Sequence, residues 1–233
     1  ANARTSISRQ RMPKTFASLL SSFSLITCKS EAVYKEIFEL GVSEEKMCVL
    51  GDLKAEAGRL TVQKSALEKL RREVGDRPVW VAASTHEGDE NGILRAHKLC
   101  RVELPDALLI WAPRHPARAC DIRAVAIRQG MTVVQRSLGE EITLETDIYL
   151  ADTLGELGIF FTLSQVAFLG GSFGAEGGHN PFEPAHFGCA IFTGPHVRNF
   201  SESFAALENC GAAKTFSDGD SLGRGLGELL ATG

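Results

Sequence analysis

Residues 79–99 read VWVAASTHEGDENGILRAHKL, and this stretch decides the fold. Val79–Ala83 is a short, unbroken apolar run, the pattern of a strand buried on both faces. It passes through small hydroxyls and acids into Asn91–Leu99, where apolar residues recur at helical spacing. The same order of run, polar turn and amphipathic segment repeats outward in both directions. Strand-length runs occupy Ser24–Thr27, Ala107–Trp111, Thr132–Val134, Ile148–Leu150, Val166–Leu169, Ala190–Thr193 and Ala213–Phe216. Helical period marks Glu31–Leu40, Lys64–Val74, Ala117–Gln129, Leu154–Leu163, Ser201–Glu208 and Leu222–Leu230. The alternation predicts an α/β protein: a doubly wound parallel sheet with helices on both faces. Gly51–Gly58 interrupts the array. It separates an incomplete βα piece, 1–50, from a self-sufficient run, 59–233, and is read as a domain hinge.

The bulk properties suit such a fold. The chain has 233 residues, of which 44% are hydrophobic and 23% charged, enough to build a core. A net charge of −4 gives no electrostatic reason to expect nucleic acid as a partner. Six widely spaced cysteines form no C-x-x-C pair, so metal-site spacing is absent. Most sit in apolar stretches, as buried thiols do, which leads to the expectation of a reducing compartment. The longest apolar stretch, Leu157–Gly171, is broken by Thr162, Ser164 and Gln165 and is too short to span a bilayer. No signal peptide is recognised, and Ala1 stands where a methionine would begin a complete chain, so a fragment or processed product is expected.

In open α/β sheets ligands bind beyond the carboxyl ends of the strands. The loops after Ala83, Trp111, Leu150 and Leu169 are therefore the places to look. In the first, Ser84 or Thr85 suits a helix cap with acids in the first turn, and His86 is expected to face the cleft. In the second, Pro113 and Pro116 fix a loop carrying Arg114 and His115, and an arginine fork suits phosphate. In the third, Thr153 and Glu156 have capping-box spacing. A helix starting there would also offer free N–H groups to an anion, and both readings stay open. The fourth holds five glycines in nine residues, Gly170 to Gly178, which let backbone approach a ligand closely. Asn180 then caps a helix with Pro181 at its first position and Glu183 at its third.

Three other chemistries are weaker readings. Gly170-Gly171-Ser172-Phe173-Gly174 matches the G-x-S-x-G nucleophile elbow, but the elbow needs a helix after the serine, which the glycines and Pro181 forbid. No G-x-G-x-x-G suggests an oxidoreductase, and His86-Glu87 lacks the second histidine of a zinc protease.

Seven strings together resemble the Kdo (3-deoxy-manno-octulosonic acid) transferase family. They are Asn2-Ala3-Arg4, Gly51-Asp52-Leu53-Lys54, Ser84-Thr85-His86-Glu87-Gly88-Asp89-Glu90, Pro113-Arg114-His115-Pro116, Asp152-Thr153-Leu154-Gly155-Glu156-Leu157, Gly177-Gly178-His179-Asn180-Pro181-Phe182-Glu183-Pro184 and Gly194-Pro195-His196-Val197-Arg198-Asn199-Phe200. They fall in family order over nearly the whole chain. The sequence departs from the pattern at Asp52, where asparagine is expected, and at Phe182, where leucine is.

The resemblance implies a GT-B architecture of two Rossmann-like domains. Residues 1–53 would be the tail of the N-terminal, acceptor-side domain and 54–233 the C-terminal, donor-binding one. It implies CMP-Kdo as donor and a lipid A precursor as acceptor, at the cytoplasmic face of the bacterial inner membrane. The proton acceptor and the membrane contact would lie in the missing N-terminal part, leaving this chain alone inactive. Pro113, Arg114, Leu154, Gly155, Glu156, Asn180, Pro181, Phe182 and Glu183 match positions that hold CMP. Lys54 matches a residue that stabilises transition-state charge, with Asp52 slightly weakening its field. Ser84, Thr85, His86, His115, Gly178 and His179 are further candidates for the donor cleft. No cofactor and no metal are implied. The alternatives are another GT-B enzyme using a UDP-sugar, a transferase or an epimerase, or a non-catalytic nucleotide-sugar-binding module.

Overall fold

The structure, a computed structural model, describes residues 13–29, 31–50 and 58–232. The chain divides into two compact units, 1–58 and 59–233. The smaller contains α1 (Pro13–Ser21), β1 (Ile26–Cys28), α2 (Glu31–Glu39) and β2 (Met47–Val49). β1 and β2 pair in parallel, with Thr27 opposite Cys48. Neither α1 nor β2 was expected from the sequence. β2 has only three residues, and a strand that short exists only through its partner.

The larger unit runs α3 (Lys64–Val74), β3 (Val79–Thr85), α4 (Glu90–Glu103), β4 (Leu108–Pro113), α5 (Ala119–Arg128), β5 (Val133–Gln135), β6 (Ile148–Leu150), α6 (Leu157–Leu163), β7 (Val166–Leu169), α7 (Phe182–Ala185), β8 (Ala190–Thr193), α8 (Ser201–Asn209), β9 (Ala213–Thr215) and α9 (Gly219–Leu230). Its seven strands lie in the order β5-β6-β4-β3-β7-β8-β9, and every pair is parallel. This is the doubly wound sheet the alternation predicts. From β3 the chain first winds outward through β4, then returns to β7 on the other side of β3. The switch point therefore lies between β3 and β7.

The apolar runs of the strands hide a period of two. Trp80 and Ala82 face a core layer with Ile93, Leu94, Leu109, Trp111, Phe168 and Leu222. Val81 and Ala83 face the opposite layer with Ile110, Tyr149, Phe160, Phe161 and Phe204. Successive side chains of a strand point to opposite faces, and here both faces are covered.

Trp80 and His97, buried in the first layer, satisfy each other's polar atoms. The Trp80 indole N–H donates to His97 Nδ1 at 3.2 Å, and an indole can only donate. His97 Nε2 therefore carries the proton and donates to the Asp147 carbonyl at 3.0 Å. With no room for a second proton, burial lowers the His97 pKa to about 3. The α4–α9 contact is equally tight. A Cβ on Gly219 would collide with the Gly92 carbonyl, and one on Gly223 would lie 2.8 Å from the Ala96 carbonyl oxygen.

Two outcomes follow from this packing. In an exposed helix, Gly→Ala gains about 1 kcal/mol of helix propensity. Overpacking costs roughly 1–3 kcal/mol, so Gly223→Ala should be net destabilising and lower Tm by roughly 2–6 °C. A rise in Tm in a thermal melt would show that the two helices can part without loss. Because the folded pKa of His97 is depressed, its contribution is fully present above pH 6.5 and is lost as pH falls toward 3. Unfolding free energy from urea titrations should fall by up to about 1.4 kcal/mol per unit below pH 6.5. His97→Asn, which takes up no proton there, should lack that part of the slope.

Candidate functional site

The site is assembled around Asp89, at the switch point. Its side chain is fully buried, and its carboxylate accepts three backbone N–H groups: His86 at 2.8 Å, Gly171 at 2.6 Å and Phe173 at 3.3 Å. The loops after β3 and β7 are thus tied to one anion. Burial pushes the carboxyl upward, and the three amides oppose that shift. Between the loops there is no space for a side chain. A Cβ on Gly170 would strike the Thr85 backbone, and Gly171 has φ +63° with His86 beside it. The end of β3 is irregular: its register with β4 slips between Ala83 and Thr85, and Ser84 takes φ +54°. A left-handed serine is strained by about 1–2 kcal/mol, and the paired backbone around it holds it there. The Gly170 amide donates to Ala83 and the Arg114 amide to Thr85.

Neither Ser84 nor Thr85 caps α4, contrary to the reading of the sequence. The residue at the cap is Asp89, whose carboxylate is turned to the loops. Thr85 is buried, its hydroxyl accepting from the Trp111 indole at 2.8 Å. Ser172, the serine of the elbow-like string, is also buried. It donates to the Leu169 carbonyl and accepts from the Gly194 amide, and is not presented as a nucleophile.

The tie at Asp89 brings three histidines together. His86 Nε2 lies 2.9 Å from His179 Nε2, so one ring donates and the other accepts a single shared proton. The two rings stack at 5.1 Å, and His115 meets His86 edge-on at 5.6 Å. Burial, then the fields of His86 and Arg114, lower the His179 pKa to about 4. Burial also lowers that of His86, against Glu176 and Asp89. The pair is therefore neutral at pH 7. Arg114 beside it is exposed, and among the described residues its guanidinium has no carboxylate partner. Neutral imidazoles under an unpaired guanidinium make a surface that welcomes an anion.

Residues 152–156 form a second cluster, beyond the ends of β5 and β6. Glu156 is gripped by Arg136, whose Nε reaches Oε2 at 2.6 Å and Nη2 reaches Oε1 at 2.5 Å. The Thr153 hydroxyl donates to the same carboxylate. The capping box is absent, because the Glu156 carboxylate serves Arg136 instead of a backbone amide. Gly155, at φ +80°, delays α6 to Leu157, three residues later than periodicity predicts. Leu154 is exposed, and a cavity of about 620 Å³ is lined by Ser65, Ala66, Lys69, Arg136, Thr153 and Glu156.

The glycine-rich loop closes back on itself. The amides of Gly177 and Gly178 both donate to the Gly171 carbonyl at 3.0 Å. Asn180 Oδ1 accepts the Phe182 amide at 3.2 Å, but the buried Pro181 takes the cap of α7, so Asn180 stands one residue before the cap and Glu183 is second in the helix, not third as the sequence suggested. The helix is only four residues long, and Glu183 receives the Asn180 amide group at 3.4 Å. Lys54 and Asp52 lie outside the described residues, as does Asn2-Ala3-Arg4.

Two residues of this geometry escaped the sequence reading. Asp89 looks like an ordinary first-turn acid, and nothing local reveals that it binds the loop 82 residues away. Arg136 follows β5, and the rule that pointed to four strand ends applied equally to that fifth one.

No family model matches the chain. It is 35% identical to the 3-deoxy-D-manno-octulosonic acid transferase of Haemophilus influenzae over 99% of its own length and 55% of that protein. The chain spans about half the length of the curated relatives it matches. Among solved structures it resembles the C-terminal CMP-Kdo binding domain of WaaA from Acinetobacter baumannii. The two are 30% identical with a TM-score of 0.67, over 72% of this chain and 88% of that one. A putative UDP-N-acetylglucosamine 2-epimerase from Listeria monocytogenes shares the fold, at 17% identity and TM-score 0.57 over 89% of this chain and 50% of that one.

Asp89→Ala leaves three backbone amides without their acceptor, that of Gly171 buried, and should destabilise the chain by about 1–3 kcal/mol. Asp89→Asn, which keeps one acceptor oxygen, should cost less. Denaturant unfolding with amide exchange at Gly171 and Phe173 reads both effects. A loss below about 1 kcal/mol would mean that the loops are held by something else.

Proposed function

This chain belongs to the 3-deoxy-D-manno-octulosonic acid transferase family, and on that premise we propose that it is the donor-binding part of a GT-B glycosyltransferase. The intact enzyme moves Kdo from CMP-Kdo to a lipid A precursor. The acceptor hydroxyl attacks the anomeric carbon as the bond to the CMP phosphate breaks, and its proton passes to a base outside this chain. The observation that carries the reading is the match to a CMP-Kdo binding domain over 88% of that domain. Residues 1–53 belong to the acceptor-side domain and hinge, and 54–233 to the donor domain.

Each end of the donor has a fitting group. Arg114, exposed and without a carboxylate partner, takes the phosphate. Glu183 accepts from ribose hydroxyls, with Asn180, Pro181 and Phe182 shaping that wall. Leu154, Gly155 and Glu156 flank the nucleotide on the other side. His86, His115, His179, Ser84 and Gly178 lie at the switch point, where the sugar is placed. Departing CMP gains negative charge, and Lys54 stabilises it. These cations carry the charge of the transition state, and the reaction as proposed needs no metal. The reaction takes place at the cytoplasmic face of the inner membrane, with the membrane contact made outside this chain. Among the described residues no helix is long and apolar enough to cross a membrane.

Calorimetric titration of the chain with CMP and cytidine tests the phosphate assignment. A charge-assisted hydrogen bond contributes about 1.5–3 kcal/mol, so Arg114→Ala should weaken CMP binding by roughly 10- to 150-fold. Cytidine, without the phosphate, should bind mutant and wild type almost equally. Equal losses would make Arg114 a support of loop shape, and no loss at all would put the donor site elsewhere.

A further inference from the structure

The ends of β5 and β6 are braced with unusual care for a surface loop. Asp152 accepts the Gln135 side-chain amide at 2.7 Å, the Ser137 amide at 3.0 Å and the Ser137 hydroxyl at 2.6 Å. Arg136 is thereby fixed through both chain neighbours. Its third nitrogen, Nη1, donates to the Tyr149 hydroxyl at 2.8 Å, which sets the plane of the guanidinium. A planar fork so fixed imposes its own plane on the carboxylate it holds.

The consequence appears at Glu156. Its Oε2 receives two donors, Arg136 Nε and the Thr153 hydroxyl, whereas Oε1 receives one. Oε1 keeps acceptor capacity, and the pair borders the 620 Å³ cavity with 21% and 19% of the two side chains exposed. Arg136 also holds the Glu156 carboxyl below the usual carboxylate range. At neutral pH Glu156 accepts and never donates. The pair stands in a cavity wall beyond the strand ends, where ligands of open α/β sheets bind.

A carboxylate repels phosphate, and in the proposed function the ribose hydroxyls go to Glu183. What remains for Glu156 is the base. We propose that Arg136 is a positioning residue that holds Glu156 as an oriented, acceptor-only group, and that this pair selects a pyrimidine bearing an exocyclic amine. This rests on the reading that residues 154–156 flank the donor nucleotide. Cytosine offers an N–H donor where uracil offers a carbonyl oxygen. An oxygen facing Oε1 loses the hydrogen bond and adds repulsion, so the pair both attracts one base and rejects the other.

The test is titration of the 233-residue chain with CMP, UMP, cytidine and uridine, reading ratios of affinity. Wild type should prefer cytidine over uridine by roughly 10- to 150-fold, the value of one hydrogen bond to a charged acceptor. In Glu156→Gln, Arg136 must take the amide oxygen, which turns the NH2 toward the cavity. The preference should then fall below about threefold or reverse toward uridine. Arg136→Lys keeps the charge and loses the fork, and should lower the ratio at least about threefold with CMP still bound. Arg114→Ala should leave the cytidine-to-uridine ratio unchanged. A fraction of misfolded mutant lowers the number of sites and not the ratio, so the readout survives partial unfolding. Wild type that binds cytidine and uridine equally would overturn the proposal, as would wild-type ratios in both Glu156→Gln and Arg136→Lys. Wild type that binds neither CMP nor cytidine would instead overturn the donor reading on which it rests.

Discussion

A buried carboxylate is tolerable when several donors surround it, and Asp89 is surrounded by backbone amides from two separate loops. Those loops leave β3 and β7, the strands on either side of the switch point. Without Asp89 the buried Gly171 amide would have no acceptor, and the His86 and Phe173 amides would lose theirs, so the same carboxylate holds both loops. The glycines at 170 and 171 are what allow that closure, because a Cβ at either position meets the opposite loop. The histidine pair follows from the same tie, since His86 and His179 stand on the two loops that Asp89 joins.

The polar groups of the larger unit divide into two kinds. Asp152, Thr85, Ser172 and His97 spend their capacity inside the protein, each on named neighbours at hydrogen-bond distance. They set shape and have little left for a ligand. Arg114 and Oε1 of Glu156 keep capacity and stand at the carboxyl ends of the strands. In the proposed function the first meets the anionic end of a nucleotide and the second an N–H donor of its base. Histidines held neutral by burial add hydrogen-bonding atoms near Arg114 without adding net charge.

Packing elsewhere supports the rigidity that such a site needs. The glycine face of α9 lets it lie directly on the backbone of α4, the helix that begins at the Asp89 tie. Trp80 and Trp111 anchor the two central strands through their indole N–H groups as well as their area. The first turn of α4 is therefore fixed from below by α9 and from above by the loops.

Much of this was legible in the residues. Unbroken apolar runs alternating with amphipathic segments could only be parallel strands covered on both faces, so the class of fold and the edge of the sheet to inspect followed from the sequence. The seven strings that carry the family resemblance were equally local. The pairing of Asp89 with Gly171, of His86 with His179 and of Arg136 with Glu156 was not, because residues 82, 93 and 20 positions apart meet only after the sheet has brought strand ends side by side. Local pattern misled where a side chain had two possible partners. Thr153 and Glu156 have the spacing of a capping box, but an arginine from the turn after β5 binds a carboxylate more strongly than one exposed amide does. Sequence determined which elements form and where their ends must gather. Tertiary structure decided which polar groups are consumed in holding those ends and which remain to meet a ligand, because a hydrogen-bonding group commits to whichever partner the fold places within 3 Å.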